Sequence, residues 1–247
     1  MKIAATNYKF TKGDANDIKA FGYDIKTNGK TAIEKFMPSK FPNFNLLSLL
    51  RSVETSFSQT TTNKIHRILE FDDAASVLRI QYYNEHRDEE DALVFVRKFS
   101  VVNKSIQVKH DYCIIPKPYR GQGLIKPVFK ESLQQYVNMN AKKIAVHAGL
   151  SSGGYAWAKH GFVAVNKQEV DQILKLAKTK IDKTEFAAIK KIYDIYYAKN
   201  PGGKAFPMDL WAAFSFMKKV LMGSDWHGEL DLKSQDQFRN FKEYVYG

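Results

Sequence analysis

The chain has 247 residues, 44% of them hydrophobic, which suits one large domain or a domain with an appendage around a buried core. No apolar run approaches the roughly 20 residues of a membrane span, and the opening MKIAATNYKF lacks the apolar stretch of a secretory signal, so a cytosolic protein is expected. The single cysteine, Cys113, excludes an internal disulfide and a multi-cysteine zinc site, while a net charge of +12 predicts attraction to nucleic acid, an acidic protein or an anionic cofactor. The lysines are scattered without blocks, so this charge reads first as a solvated surface.

Residues 1–65 mix lysines with Gly, Asn, Ser and Thr and form a helical and loop segment, in which only Phe44 to Leu50 carries a helical apolar pattern. From His66 the pattern turns strand-like. Ile68, Leu69 and Phe71, then Val77, Leu78, Ile80 and Tyr82, predict a hairpin turning at residues 72–75. Residues 87–91 make the next turn, and strands over 93–102 and 105–115 are joined at Asn103-Lys104. Cys113, among Tyr112, Ile114 and Ile115, is expected to be a buried strand residue.

Tyr119-Arg120-Gly121-Gln122-Gly123-Leu124-Ile125 then precedes an amphipathic helix over 122–140. Two glycines let the backbone curl, and the helix start offers unpaired N–H groups with positive dipole character, which makes an anion cradle. A strand at 143–148, a short helix from Gly153 closed by Gly161, and a strand at 162–165 follow. Residues 167–221 predict three helices, the last marked by Leu210, Ala213, Phe214 and Met217; the tail holds a Gly223-Ser224-Asp225-Trp226-His227-Gly228 loop and a final helix. The loop reads as a cap or as a wall beside a site. The element order is that of an α+β, or mixed α/β, protein.

The Arg-x-x-Gly-x loop at Arg120 to Leu124, with Trp157-Ala158-Lys159-His160-Gly161-Phe162 downstream, resembles the GCN5-related N-acetyltransferase superfamily. The resemblance implies a central, mostly antiparallel sheet splayed between its fourth and fifth strands (105–115 and 143–148), helices on both faces, a core over 66–166 and a helical C-terminal extension over 167–247. It implies acetyl-CoA as cosubstrate: Cys113, Ile114 and Ile115 would offer backbone groups to the pantetheine amides, and Arg120, Gly121, Gln122, Gly123, Leu124, Ile125 and Lys126 would surround the pyrophosphate. The family's pattern usually has Gly or Ala where Ile125 stands, and often a tyrosine general acid where Trp157 stands. Tyr155 is then the nearest substitute acid, and Trp157 a wall against the pantetheine or the core.

The acceptor amine must be neutral to attack, so a base is expected near the fourth or fifth strand, with His110, Asp111 and His147 as candidates. His110 and Asp111 point to opposite faces of a strand. No histidines stand at i, i+4 spacing, so no metal is expected. The expected function is acetyl transfer to an amine by direct attack in a ternary complex. The alternative is a binding module of the same fold, without turnover, engaging nucleic acid or an acidic protein.

Overall fold

The computed structural model describes residues 3–86, 88, 90–149 and 153–247. Parts of two expected turns, Arg87 and Glu89 in the acidic turn and Leu150 to Ser152 before the short helix, lie outside the described residues. The fold is mixed α+β with mostly antiparallel strand pairs. Two compact units divide it, Met1–Lys142 with Val245–Gly247, and Lys143–Tyr244. Among the described residues no helix is long and apolar enough to cross a membrane.

The first unit contains α1 (Lys12–Ala20), β1 (Asp24–Thr27), α2 (Ile33–Lys40), α3 (Leu46–Phe57), β2 (Ile65–Asp72), β3 (Val77–Asn84), β4 (Val94–Val102), β5 (Ser105–Ile114) and α4 (Ile125–Asn138). The strands lie in the order β1-β2-β3-β4-β5, with β1 parallel to β2 and the others antiparallel. The predicted hairpins are present. Asn103 and Lys104 both take positive φ (48° and 61°), the two-residue turn whose twist matches its strands. The N-terminal segment holds more structure than its apolar pattern indicates: α1 starts with a Thr11–Asp14 capping box, and the short, largely exposed β1 shows no alternation.

Alternate residues of β3 are buried, so one sheet face forms the core. Three helices pack on that face. Phe36 of α2 meets Phe71, Phe57 of α3 meets Tyr82 and Phe95, and Tyr136 of α4 meets Phe99, with ring centroids 4.7 to 6.3 Å apart.

The β4–β5 ladder slips by one residue. Val96 pairs with Tyr112 and Arg97 with His110, leaving Asp111 as the extra residue of a β-bulge. Arg97 points into the core with no exposure. Its Nη1 donates to the carbonyls of Val96 (3.0 Å) and Tyr112 (3.1 Å), and its guanidinium lies 4.2 Å from the Phe95 ring centroid. Nε and Nη2 have no hydrogen-bond partner among the described residues, and no carboxylate pairs with the charge there. The bulge therefore opens a gap in the ladder, and the guanidinium fills its carbonyl side.

The second unit contains β6 (Lys143–His147), α5 (Gly153–Lys159), β7 (Val163–Ala164), α6 (Lys167–Lys180), α7 (Lys183–Lys199), β8 (Phe206–Pro207), α8 (Met208–Ala212), α9 (Lys218–Leu221), β9 (His227–Asp231) and most of α10 (Gln235–Tyr246). The strand order is β6-β9-β7-β8, antiparallel throughout. Two expectations need correction. The third predicted helix is broken into α8, a 3-10 turn at Ser215–Met217 and α9, because Phe214 takes an extended conformation between them. The tail is not only a loop: from His227 it is β9, and Gly228 and Leu230 point inward.

Substituting Arg97 by Met should destabilise the protein by about 1–3 kcal/mol in urea unfolding, because two buried carbonyls lose their donor. A variant as stable as the wild type would show that the bulge does not need the guanidinium. His160 supplies a second expectation. Burial, with Lys159 nearby, pushes its imidazole from 6.5 down to about 3. Between those values the unfolded chain binds a proton that the folded chain does not, so stability is full above pH 6.5 and declines as the pH falls towards 3. From neutrality to about pH 5 the loss from this group is at most about 2 kcal/mol, and His160→Gln should flatten that part of the pH profile.

Candidate functional site

In the first unit the candidate site starts where β5 ends. Cys113 and Ile114 are its last residues, and Ile115 follows. Cys113 is half-buried instead of fully buried, because the bulge turns this end of the strand away from regular alternation. Burial of the thiol still pushes its pKa up, against the pull of Arg97. The chain then passes through Pro116 and a 3-10 turn at Lys117–Tyr119 into the glycine loop.

Gly121 and Gly123 take φ of +77° and +76°, and a Cβ added to either would meet nothing within 4 Å. The space beside them is open. Arg120 Nε donates to the Ile115 carbonyl (2.8 Å) and Gln122 Nε2 to that of Pro118 (2.8 Å), so both side chains brace the loop. The backbone N–H groups of Gly121, Gln122, Gly123, Leu124 and Ile125 donate to no acceptor among the described residues, whereas Lys126 N–H is held by the Gly123 carbonyl at 2.9 Å. Leu124 caps α4 without a side-chain acceptor, which leaves the helix start free for a ligand. A cleft of about 490 Å³ adjoins the loop, where Arg51, Ser52, Thr55 and Ser56 of α3 face Gly123 and Leu124. Hydroxyls, a guanidinium and free N–H groups together suit a phosphorylated ligand.

The base candidates on β5 are engaged. His110 is buried, with Nε2 2.8 Å from the Tyr136 hydroxyl, and burial together with Arg97 holds its imidazole well below the ordinary range. Asp111, at the bulge, lies 2.7 Å from Lys109 Nζ.

In the second unit, β6 and β9 pair so that His147 stands opposite His227. Their rings stack with centroids 4.3 Å apart and planes 4° from parallel. Asp225 Oδ1 lies 2.5 Å from His147 Nε2, and Glu169 of α6 accepts from His227 twice, at Nδ1 and at the backbone N–H, each at 2.7 Å. The histidines are about half exposed (44% and 52%), whereas Glu169 is only 16% exposed. Glycines make this arrangement possible. A Cβ on Gly149 would come within 3.2 Å of Asp225 Oδ1, and one on Gly228 within 2.5 Å of the fully buried Trp226 ring. Tyr155 and Trp157 stand on α5; Lys218 Nζ lies 5.9 Å from the Tyr155 ring centroid, and Trp157 meets Phe162 edge-on at 5.0 Å.

Within the first unit, then, Cys113 to Lys126 form one continuous stretch from the end of β5 to the start of α4, and His110 and Asp111 lie just upstream of it on β5. Sequence reasoning did not find Arg97 or Glu169, and it placed Asp225 and His227 only in a tail loop read as a cap or a wall beside a site. Comparison with protein-family models, with curated proteins and with solved structures finds no match for this chain.

Gly228→Ala is expected to cost about 1–3 kcal/mol, the usual cost of overpacking a tight core. It should also shift the Trp226 fluorescence, because ring and added methyl compete for one volume. A variant with unchanged stability and emission would show that β9 tolerates a side chain there.

Proposed function

We propose that this chain is an acyl-CoA-dependent N-acetyltransferase of the GCN5-related kind. One observation carries the reading: five consecutive N–H groups, Gly121 to Ile125, are without acceptors among the described residues, on an exposed loop between a bulged strand and a helix start. A diphosphate needs such a set of donors at close range, and the absence of side chains at Gly121 and Gly123 lets it approach.

On this reading acetyl-CoA supplies an activated acetyl thioester, and the protein binds and orients it. The loop takes the pyrophosphate, with Arg51 and the α3 hydroxyls beside it. Carbonyl and N–H groups at Cys113 to Ile115 hold the pantetheine amides. The bulge leaves Asp111 outside the β4–β5 register, which makes its N–H the candidate to polarise the thioester carbonyl. His110, kept neutral and bonded to Tyr136, is better suited to supporting the strand than to exchanging protons. Much of the rate would come from positioning.

A second reading, a module that binds without turnover, is favoured by Trp157, which stands where the family often has its tyrosine and is packed on Phe162. Calorimetry with acetyl-CoA should give one complex with a dissociation constant of about 1 μM to 1 mM. Gly123→Val should weaken it by about tenfold or more, because a branched side chain crowds the ligand and disfavours positive φ. Thiol release with a panel of amines then separates the readings. Binding without release supports the module, and absence of binding overturns both.

A further inference from the structure

We infer that the sheet face of the first unit turned away from α2, α3 and α4 carries a second ligand site, for a small phosphate monoester, centred on Arg79 and Lys98. The strand register assembles it. Lys26, Glu70, Arg79 and Lys98 stand opposite one another in turn across β1, β2, β3 and β4, and alternation along the strands puts all four on this face. Together with Asn28, Asp72, Ala75 and Val77 they border a cleft of about 410 Å³. That volume suits a small molecule.

The placement of charge calls for a ligand. Arg79 and Lys98 are like charges directly opposite one another, an arrangement that destabilises a sheet unless something neutralises it. The neighbouring carboxylates are used elsewhere. Glu70, opposite Arg79 on its other side, accepts from Gln81 Nε2 at 2.8 Å, and Asp72 accepts from the Ala75 N–H at 2.8 Å. The flanking lysines of the row have partners too: Lys26 lies 3.5 Å from Asp24, and Lys109, opposite Lys98 on β5, lies 2.7 Å from Asp111. Arg79 and Lys98 take part in no ion pair or hydrogen bond among the described residues, and Arg79 Nε is buried without an acceptor. A donor left in that state costs stability, which an anion accepting from it restores.

The class of anion follows from the charges. Two unneutralised cations side by side match a phosphate monoester, with its about two negative charges, better than a monocarboxylate. A guanidinium offers paired N–H groups to two phosphate oxygens, and the Lys98 ammonium adds a third contact. Glu70 and Asp72 then face the esterified alcohol, where their remaining lone pairs accept from its hydroxyls. The ligand is accordingly a small hydroxylated phosphate ester. The cleft beside the glycine loop shares no residue with this one, and the inference does not rest on acetyl transfer.

The test uses the full chain, glycerol 3-phosphate as probe, and glycerol and glycerate as controls. Calorimetry should give a dissociation constant of about 1 mM or tighter for the phosphate ester, binding at least about fivefold weaker for glycerate, and none for glycerol. Arg79→Met and Lys98→Met should each weaken the phosphate ester by about tenfold or more, while Gly123→Val leaves its binding unchanged. In wild-type protein the Arg79 Nε–H resonance should move on titration, a readout that stands if a variant misfolds. A stationary Arg79 resonance, undiminished binding in Arg79→Met and Lys98→Met, or equal binding of glycerate would each overturn the site. Binding lost in Gly123→Val but kept in Arg79→Met would assign the phosphate to the glycine loop and overturn it as well.

Discussion

The order of the first unit turns on a buried cation. Arg97 sits in the core of the five-stranded sheet with no exposure and no ion-pair partner among the described residues, a placement that is costly unless its donors are used. The bulge at Asp111 supplies the use, since the Tyr112 carbonyl lies 3.1 Å from Nη1. Aromatic rings from β4 and α4, Phe95 and Phe129, supply faces for the guanidinium. The same charge, added to burial, keeps His110 neutral. Strand, bulge, glycine loop and helix therefore form a closed circuit: β5 leaves through the bulge into the loop, the loop starts α4, and α4 returns Phe129 and Tyr136 over the region that Arg97 organises.

The second unit solves a different problem, which is to hold two imidazoles face to face. Antiparallel pairing of β6 and β9 sets the spacing, because residues directly opposite are near neighbours on one face. Trp226, fully buried just before β9, fixes the height of the strand, and its own carbonyl accepts from Ala148 N–H at 2.9 Å. Each ring is then turned by a carboxylate from outside the two strands, Asp225 from the preceding loop and Glu169 from α6. Without those carboxylates stacking alone would leave the ring nitrogens free to rotate.

Much of the fold was legible in the sequence where the signal is local. The hairpins of β2 to β5 follow from period-two apolar runs and short turns, α4 from its apolar stripe, and the end of α5 from Gly161. What stayed hidden depends on distant partners. β1 is four largely exposed residues paired with β2, and β9 reads as a turn because Gly228, which its packing demands, is also a turn residue. The glycine loop could be singled out in the sequence because its residues are contiguous. Of the second cluster only His147 was singled out as a catalytic candidate, since its partner Asp225 is 78 residues away and strand pairing alone brings them together.

Glycine shows how one letter can mislead and inform in the same chain. At Gly228 and Gly154 an added Cβ would collide, with Trp226 in one case and with Leu221 and Ser224 in the other, so the absent side chain is a packing requirement. At Gly121 and Gly123 it would meet nothing. The chain there takes positive φ while leaving empty space and unclaimed N–H groups beside it. Packing explains the first pair, and backbone conformation the second. Leu124 and Ile125 carry the unpaired N–H groups of any helix start, and the loop before them adds those of Gly121, Gln122 and Gly123 on an exposed surface. The same residue type thus serves close packing in one part of the chain and an open, left-handed backbone in another.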